Sequence, residues 1–178
     1  DLLVEEADKP VANAVLGELG YRAVEGQHGV WRPQDAGVLE LHSAGAVSDL
    51  YGSSIMGAAN FSSVTRDGAQ ARLPSPTLQA LNLIVHDQIK EGDYWRGTID
   101  LRHLHDLAEL AQLPQGIDWF RLSRIVRGRL ERNALETQLL ALRELFEVPI
   151  PEGLCRRLVP RCQHWRRMAQ IRHPRLAI

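Results

Sequence analysis

Glu40 is a residue whose type and setting could support chemistry. It lies in the segment 38–42, where apolar and polar residues alternate. Alternate side chains of a β-strand point to opposite faces, so Glu40 is predicted to point away from Leu39 and Leu41. A carboxylate on a strand face beside buried leucines is a typical position for an active site mounted on a sheet. The alternative for Glu40 is a salt-bridged structural carboxylate, and His42 is predicted to pack or hydrogen-bond rather than to act as a ligand.

Histidines and aspartates form a second group further along the chain. Its members are His86, Asp87, Asp100, His103, His105 and Asp106. His103 and Asp106 are three residues apart, a spacing that puts both on one face of a helix. Such residues could hold a divalent metal, as in a helical phosphohydrolase. The remaining ligands of that site cannot be placed in the sequence, and solvated helix faces carry the same residue types.

Charge is divided unevenly along the chain. Residues 1–118 contain 8 Lys or Arg and 17 Asp or Glu, whereas residues 119–178 contain 13 Arg and 5 acidic residues. This division favours either an anionic partner, such as a nucleotide or RNA, or the docking of an acidic face on a basic face.

The arginine-rich segment 155–175 has two interpretations. It could grip the phosphate backbone of a nucleic acid, with Trp165 as a surface on which a base stacks. Alternatively it forms an amphipathic helix with its arginines in water. That helix would pack four side chains on the core: Leu158, Cys162, Trp165 and Met168.

The elements that position these residues change character near Pro76. Before it, apolar spacing predicts one helix over 9–19, and alternation predicts strands over 21–25, 28–32 and 38–42. Residues 1–4 resemble the tail of a strand. Residues 43–75, rich in Ser, Gly and Ala, are predicted to be a connecting region. It includes a short helix near 48–59 and a turn at Asp67-Gly68.

After Pro76 the apolar spacing is helical. It predicts helices over about 78–89, 99–110, 118–129 and 133–146. A break at 148–153 and a last helix over 155–172, interrupted at Pro160, complete the chain. The pattern predicts an α+β fold, a small mixed sheet followed by a helical bundle. We expect an α/β module over 1–75 and a helical domain over 76–178.

Composition limits the protein class. The chain has 178 residues, 44% of them hydrophobic and 24% charged, which are ordinary globular values. It has two cysteines without zinc-binding spacing, which we expect to be free thiols. No apolar run is long enough for a membrane span, and no basic-then-apolar signal segment opens the chain. We expect a soluble, cytoplasmic protein with no membrane partner.

Three segments in order resemble one protein family. Asp1-Leu2-Leu3-Val4 is followed by a predicted helix ending Glu18-Leu19-Gly20-Tyr21, and then by Val38-Leu39-Glu40-Leu41-His42. This order resembles the uncharacterised nucleotidyltransferase family within the DNA polymerase β-like superfamily. Further similar segments follow: Ile84-Val85-His86-Asp87, the stretch 99–107, Asp118-Trp119 and Val148-Pro149-Ile150-Pro151. The resemblance runs over about residues 1–154.

The resemblance implies transfer of a nucleoside monophosphate from a nucleoside triphosphate to an acceptor hydroxyl, with magnesium. Asp1 would be the second acid of an Asp-x-Asp strand and Glu40 the third carboxylate, both of them catalytic and metal-binding. The chemistry fits, because magnesium takes oxygen ligands and neutralises a triphosphate. The resemblance leaves the acceptor open among a small molecule, a protein side chain and an RNA end.

The sequence departs from the family pattern at its start. The first acid would lie two residues before Asp1, and the glycine turn that cradles phosphate earlier still; the sequence contains neither. We expect the native protein to be longer, so that the Asp-x-Asp strand is truncated here. The alternative is a catalytically degenerate module that acts as a binding or partner protein through its basic C-terminal region.

Overall fold

The computed structural model describes residues 2–24, 29–34, 38–43, 60–66 and 68–173 of the chain. By its backbone contacts the chain divides into two compact units, residues 1–57 and 58–178. The described part of the first unit holds a sheet and one helix, and that of the second holds a hairpin followed by helices. This is the α+β fold that the sequence predicts. The predicted helix near 48–59 lies outside the described residues.

A four-stranded sheet in the order β1-β4-β3-β2 forms the first unit. Its strands are β1 Leu2–Val4, β2 Arg22–Ala23, β3 Gly29–Trp31 and β4 Leu39–Ser43. β1 runs parallel to β4, whereas β3 is antiparallel to both β4 and β2. The sheet is therefore mixed. The strands predicted over 21–25 and 28–32 are present in shorter form, and the strand predicted over 38–42 is present one residue later in the chain.

The α-helix in the described part of this unit, α1, spans Lys9–Glu18 and follows a 3-10 helix over Glu6–Asp8. Pro10 lies in its first turn, where a proline is tolerated, and Asp8 at the N-cap makes no side-chain capping bond. Gly20 follows the helix in the left-handed region, with φ of 87°, which favours glycine. The buried side chain of α1 is Leu16, whereas the apolar side chains of Val11, Val15 and Leu19 are exposed.

A β-hairpin opens the second unit. Its strands, β5 Phe61–Arg66 and β6 Ala69–Pro74, pair antiparallel from Phe61 opposite Pro74 to Arg66 opposite Ala69. Gly68 in the turn has φ of 81°. The prediction of a connecting region is therefore wrong here. Most side chains of both strands are exposed, so neither strand shows the alternation of burial from which a strand is recognised.

Helices make up the rest of the second unit. They are α2 Pro76–Val85, α3 Asp93–Arg96, α4 Leu101–Gln112, α5 Trp119–Ile125, α6 Arg129–Phe146 and α7 Leu158–Arg172. A π-helical turn, His86–Lys90, follows α2 directly. Pro160 lies in the first turn of α7, where its missing N–H leaves no intrahelical bond unmade. The predicted interruption at Pro160 is therefore wrong.

The core of the second unit surrounds α6, which packs against α2, α4 and α7. Leucines from α2, α4, α5 and α6 fill it, each at most 1% exposed. They are Leu81, Leu104, Leu107, Leu122, Leu139 and Leu142. Within the described ranges, no helix has the length and apolar composition to cross a membrane.

Candidate functional site

Glu40 lies on an inner strand of the first unit's sheet. In β4 it is opposite Gly29 of β3, while the next residue, Leu41, is paired with Leu2 of β1. The side chain of Glu40 is half-buried. Strands on both sides therefore hold the backbone of β4 around Glu40.

Gly29 is the residue that this arrangement requires opposite Glu40. A Cβ atom at position 29 would collide with Cγ1 of Val38 and would lie 3.2 Å from the carbonyl oxygen of Leu39. It would also lie 3.6 Å from Cγ of Glu40. The absence of a side chain at this position therefore lets β3 approach β4 closely at the level of Glu40.

The other predicted carboxylate, Asp1, lies outside the described residues, as does the side chain of His42. In the sequence Asp1 precedes Leu2 as Glu40 precedes Leu41, and Leu2 and Leu41 are partners in the parallel pair. The convergence of Asp1 and Glu40 on one cation stays a prediction. Among the described residues, no group of three His, Cys, Asp or Glu side chains could hold a metal ion.

A buried aspartate–histidine pair lies in the second unit. The side chain of Asp87, in the π-helical turn, is 2% exposed, and its Oδ1 lies 2.5 Å from Nδ1 of His103 on α4. Burial raises the pKa of the Asp87 carboxyl, while the hydrogen bond and charge of His103 oppose the rise. Oδ2 of Asp87 is buried and has no hydrogen-bond partner within the described part of the chain. Asp87 therefore fixes the ring of His103, which is partly exposed.

The other residues of the predicted histidine–aspartate group are arranged differently. His86 contacts the pair, with its ring centroid 6.3 Å from that of His103 and edge-on to it. Asp100 caps α4 by accepting from the backbone N–H of Arg102 at 2.8 Å. Asp106 is exposed and lies 4.0 Å from His105. The structure does not support the helical metal site, because His103 bonds to Asp87 rather than sharing a site with Asp106.

A second buried polar cluster surrounds Arg167 of α7, which is 0% exposed. Nη1 of Arg167 donates to Oε1 of Gln138 at 3.2 Å, and Nη2 donates to Oε1 of Gln88. Both glutamines are also 0% exposed. Burial lowers the pKa of Arg167 to about 10, and the charge of Asp93 opposes that change. One buried cation therefore connects the π-helical turn, α6 and α7.

One protein family matches the chain. The family model described as uncharacterised nucleotidyltransferase matches residues 1–147, more than half of the chain. The chain belongs to this family. Membership in the nucleotidyltransferase family supports a general nucleotidyltransferase role, and the match ends before α7. No curated protein and no solved structure matches the chain.

Part of the polar groups described above could be predicted from the sequence. Residue types and spacing singled out Glu40, Asp87 and His103, and the structure brings the last two together across 16 positions of sequence. They missed the cluster of Arg167 with Gln88 and Gln138. The signal for that cluster would have been a pair of glutamines on the apolar faces of two predicted helices, opposite an arginine on a third.

Proposed function

We propose that the chain transfers a nucleoside monophosphate from a nucleoside triphosphate to an acceptor hydroxyl, with Asp1 and Glu40 as the carboxylates that bind magnesium. The observation that carries the proposal is the family match over residues 1–147, which includes the sheet on which Glu40 lies. The parallel pairing of β1 with β4 supports the two carboxylates named, because Asp1 directly precedes β1.

Two carboxylates, at positions 1 and 40, fit a magnesium site shared with substrate phosphates better than a site made by protein alone. Magnesium is generally bound by one or two carboxylates together with substrate phosphates, and it keeps several waters. Carboxylates at 1 and 40 would supply that number, and the described residues contain no larger ligand group. When bound, magnesium would neutralise phosphate charge as the bond to the leaving group breaks.

The chemical step is a substitution at the α-phosphorus. The acceptor oxygen forms a bond to this phosphorus, the bond between the α-phosphorus and the bridging oxygen breaks, and pyrophosphate leaves. We assign to Glu40 the role of orienting the acceptor hydroxyl and receiving its proton. The half-buried position of Glu40 on an inner strand suits this role, because two neighbouring strands hold its backbone in place.

The test uses the native full-length protein. It is incubated with magnesium, a cell extract and, in turn, each nucleoside triphosphate radiolabelled at the α-phosphate. We expect one class of acceptor to become labelled, with release of pyrophosphate. The nature of the labelled species then decides among a small molecule, a protein and an RNA end.

Variants test the assignment of residues. Glu40→Gln and Asp1→Asn should lose at least about 100-fold of the labelling rate, because each removes a charge that touches the reacting groups. Glu18→Gln is the matched control, since Glu18 is an exposed acid at the end of α1. Full activity of Glu40→Gln would refute the role of Glu40. No labelling with any nucleotide would favour the non-catalytic binding module.

A further inference from the structure

Helix α7 turns an apolar face to solvent. Leu158 is 73% exposed and Trp165 is 74% exposed, and Cys162 between them is exposed as well. Positions 158, 162 and 165 are spaced by four and three residues, so they lie on one side of the helix. Arg161, four residues before Trp165, is exposed beside them. We call these four residues the outer face of α7.

α7 is oriented opposite to the amphipathic helix predicted from the sequence, whose apolar side faces the core. Of the four apolar residues predicted to pack on the core, only Met168 is buried. The buried side of α7 is largely polar, because it carries Arg167 and also His164, whose Nε2 lies 2.6 Å from Oε2 of Glu144. These directional bonds fix the rotation of the helix about its axis. The exposure of Trp165 is therefore a consequence of how α7 is docked.

The outer face is basic as well as apolar. α7 contains no acidic residue, and Arg156 precedes it with an exposed side chain. The side chains of Arg156 and Arg161 have no hydrogen-bond or ion-pair partner within the described part of the chain. Arg157, by contrast, is bonded to Glu136 at 3.1 Å. Two exposed cations, Arg161 on the outer face and Arg156 just before the helix, are thus available to an anionic partner.

We propose that the outer face of α7 binds single-stranded nucleic acid. Trp165 would stack on a base, and Arg156 and Arg161 would pair with phosphates. Stacking on an aromatic side chain together with phosphate contacts is the general mode by which proteins bind single strands. The net charge of the C-terminal 60 residues, which hold 13 Arg and 5 acids, gives the complementarity that a polyanion requires.

The arrangement favours a nucleic acid over a membrane surface. A helix that lies in a membrane interface has a continuous apolar face opposite a charged one. On α7, apolar and basic residues share the same exposed side, and the opposite side is packed against α6. The arrangement also favours single strands over duplexes, because the bases of a duplex are stacked on each other and offer no free face to Trp165.

The binding experiment needs neither nucleoside triphosphate nor magnesium, so its outcome is independent of the proposed nucleotidyl transfer. Fluorescein-labelled oligouridine is titrated with the full chain, and affinity is measured by fluorescence anisotropy over a range of salt concentrations. Trp165→Ala should weaken binding roughly fivefold to 100-fold, the range for loss of one stacked base. Arg161→Gln should lower the slope of log affinity against log salt by about 0.7, as for one lost phosphate contact.

Two matched variants control for the loss of any exposed tryptophan or arginine. Trp95 is 61% exposed and lies in the same unit, and Arg127 is exposed there too. Trp95→Ala and Arg127→Gln should bind as the parent does, and far-UV circular dichroism should show all four variants folded. Equal affinities for all four variants and the parent would overturn the proposal.

Other partners for this face give distinct results. If the protein did not bind oligouridine but bound vesicles of anionic phospholipid in a manner that depends on Trp165, the proposal would be overturned in favour of a membrane surface. A Trp165-dependent dimer in light scattering, without binding to oligouridine, would overturn it in favour of a second copy. Duplex RNA bound as tightly as the single strand, and unaffected by Trp165→Ala, would refute the stacking contact.

Discussion

Replacing Arg167 and its two glutamine partners with apolar side chains should leave the protein as stable as before or make it more stable. Arg167 is 0% exposed and cationic at neutral pH, since its pKa is about 10. A pKa lowered from 12.5 to about 10 corresponds to a cost of about 3 kcal/mol for keeping the charge in the interior. The described residues offer Arg167 no carboxylate within ion-pair distance, only the amides of Gln88 and Gln138.

The single and the combined variants are expected to differ in sign. Arg167→Ala leaves a cavity and two buried amides without their partner, so it should lower the free energy of unfolding by about 3–5 kcal/mol. The triple variant Arg167→Met, Gln88→Leu, Gln138→Leu removes the charge and both amides while keeping side-chain volume. It should lie within about 1 kcal/mol of the parent or exceed it by up to about 4 kcal/mol.

The free energies of unfolding of the single and the triple variant are measured by urea denaturation, with circular dichroism as the signal. The midpoint and the dependence of the free energy on urea concentration are fitted separately. Arg143→Met is the matched control, because Arg143 is exposed on α6 and its loss should change stability by less than about 0.5 kcal/mol. A triple variant as unstable as Arg167→Ala would refute the reasoning. It would mean that the polar cluster contributes net stability rather than fixing the orientation of α7.

Three further predictions concern single positions. Burial raises the pKa of Asp87 above 3.8, so the folded state holds this proton more tightly than the unfolded chain. The stability of the parent relative to Asp87→Asn, from urea titrations at several pH values, should therefore fall as pH rises from about 4 through the raised pKa and then level off. Cys162 is exposed, whereas Cys155 is buried and its burial raises the pKa of the thiol. Ellman's reagent should therefore modify Cys162 rapidly and Cys155 only after denaturation. Gly97 has φ of 76°, a backbone conformation that other residues rarely adopt, so Gly97→Ala should lower the free energy of unfolding in urea by about 1–3 kcal/mol.

Each of these predictions has a control or a contrary result. Asp106→Asn removes an exposed acid of α4 and should leave the pH profile of stability unchanged. Two rapidly modified thiols would contradict the burial of Cys155. Gly153→Ala is the control for Gly97→Ala, because nothing lies within 4 Å of a Cβ at position 153. If the two alanine variants were equally stable, the backbone strain expected of a side chain at position 97 would be refuted.

Periodicity predicted the elements whose burial follows one face. The strand at 38–42 and the helices after Pro76 were recovered, and the order of segments around Glu40 indicated the family that the comparison confirms. The hairpin Phe61–Pro74 was missed although Asp67-Gly68 is a strong hairpin signal. Its strands are exposed on both faces, so hydrophobic alternation, the main evidence for a strand, is weak there.

The orientation of α7 could not be predicted from its own residues. Helical spacing defines two opposite faces, and the larger number of apolar side chains favoured the face with Leu158 and Trp165. The choice is made by Gln88 and Gln138, which lie 79 and 29 residues from Arg167 in sequence. Long-range partners of this kind leave no periodic pattern in the sequence.

The π-helical turn has a consequence for variation in chain length. Consecutive side chains of an ordinary helix diverge by about 100°, and a π-helical turn places one more residue between its hydrogen-bonded groups than an ordinary turn does. In this turn, where the N–H of Glu91 donates to the carbonyl of His86, Asp87 and Gln88 are both enclosed, one serving α4 and the other α7. Deleting one residue here would restore regular winding and turn Asp87 and Gln88 relative to each other, so it should remove one of the two polar contacts, to His103 or to Arg167, while α4 and α7 stay packed on α6. The turn should therefore tolerate substitution better than deletion.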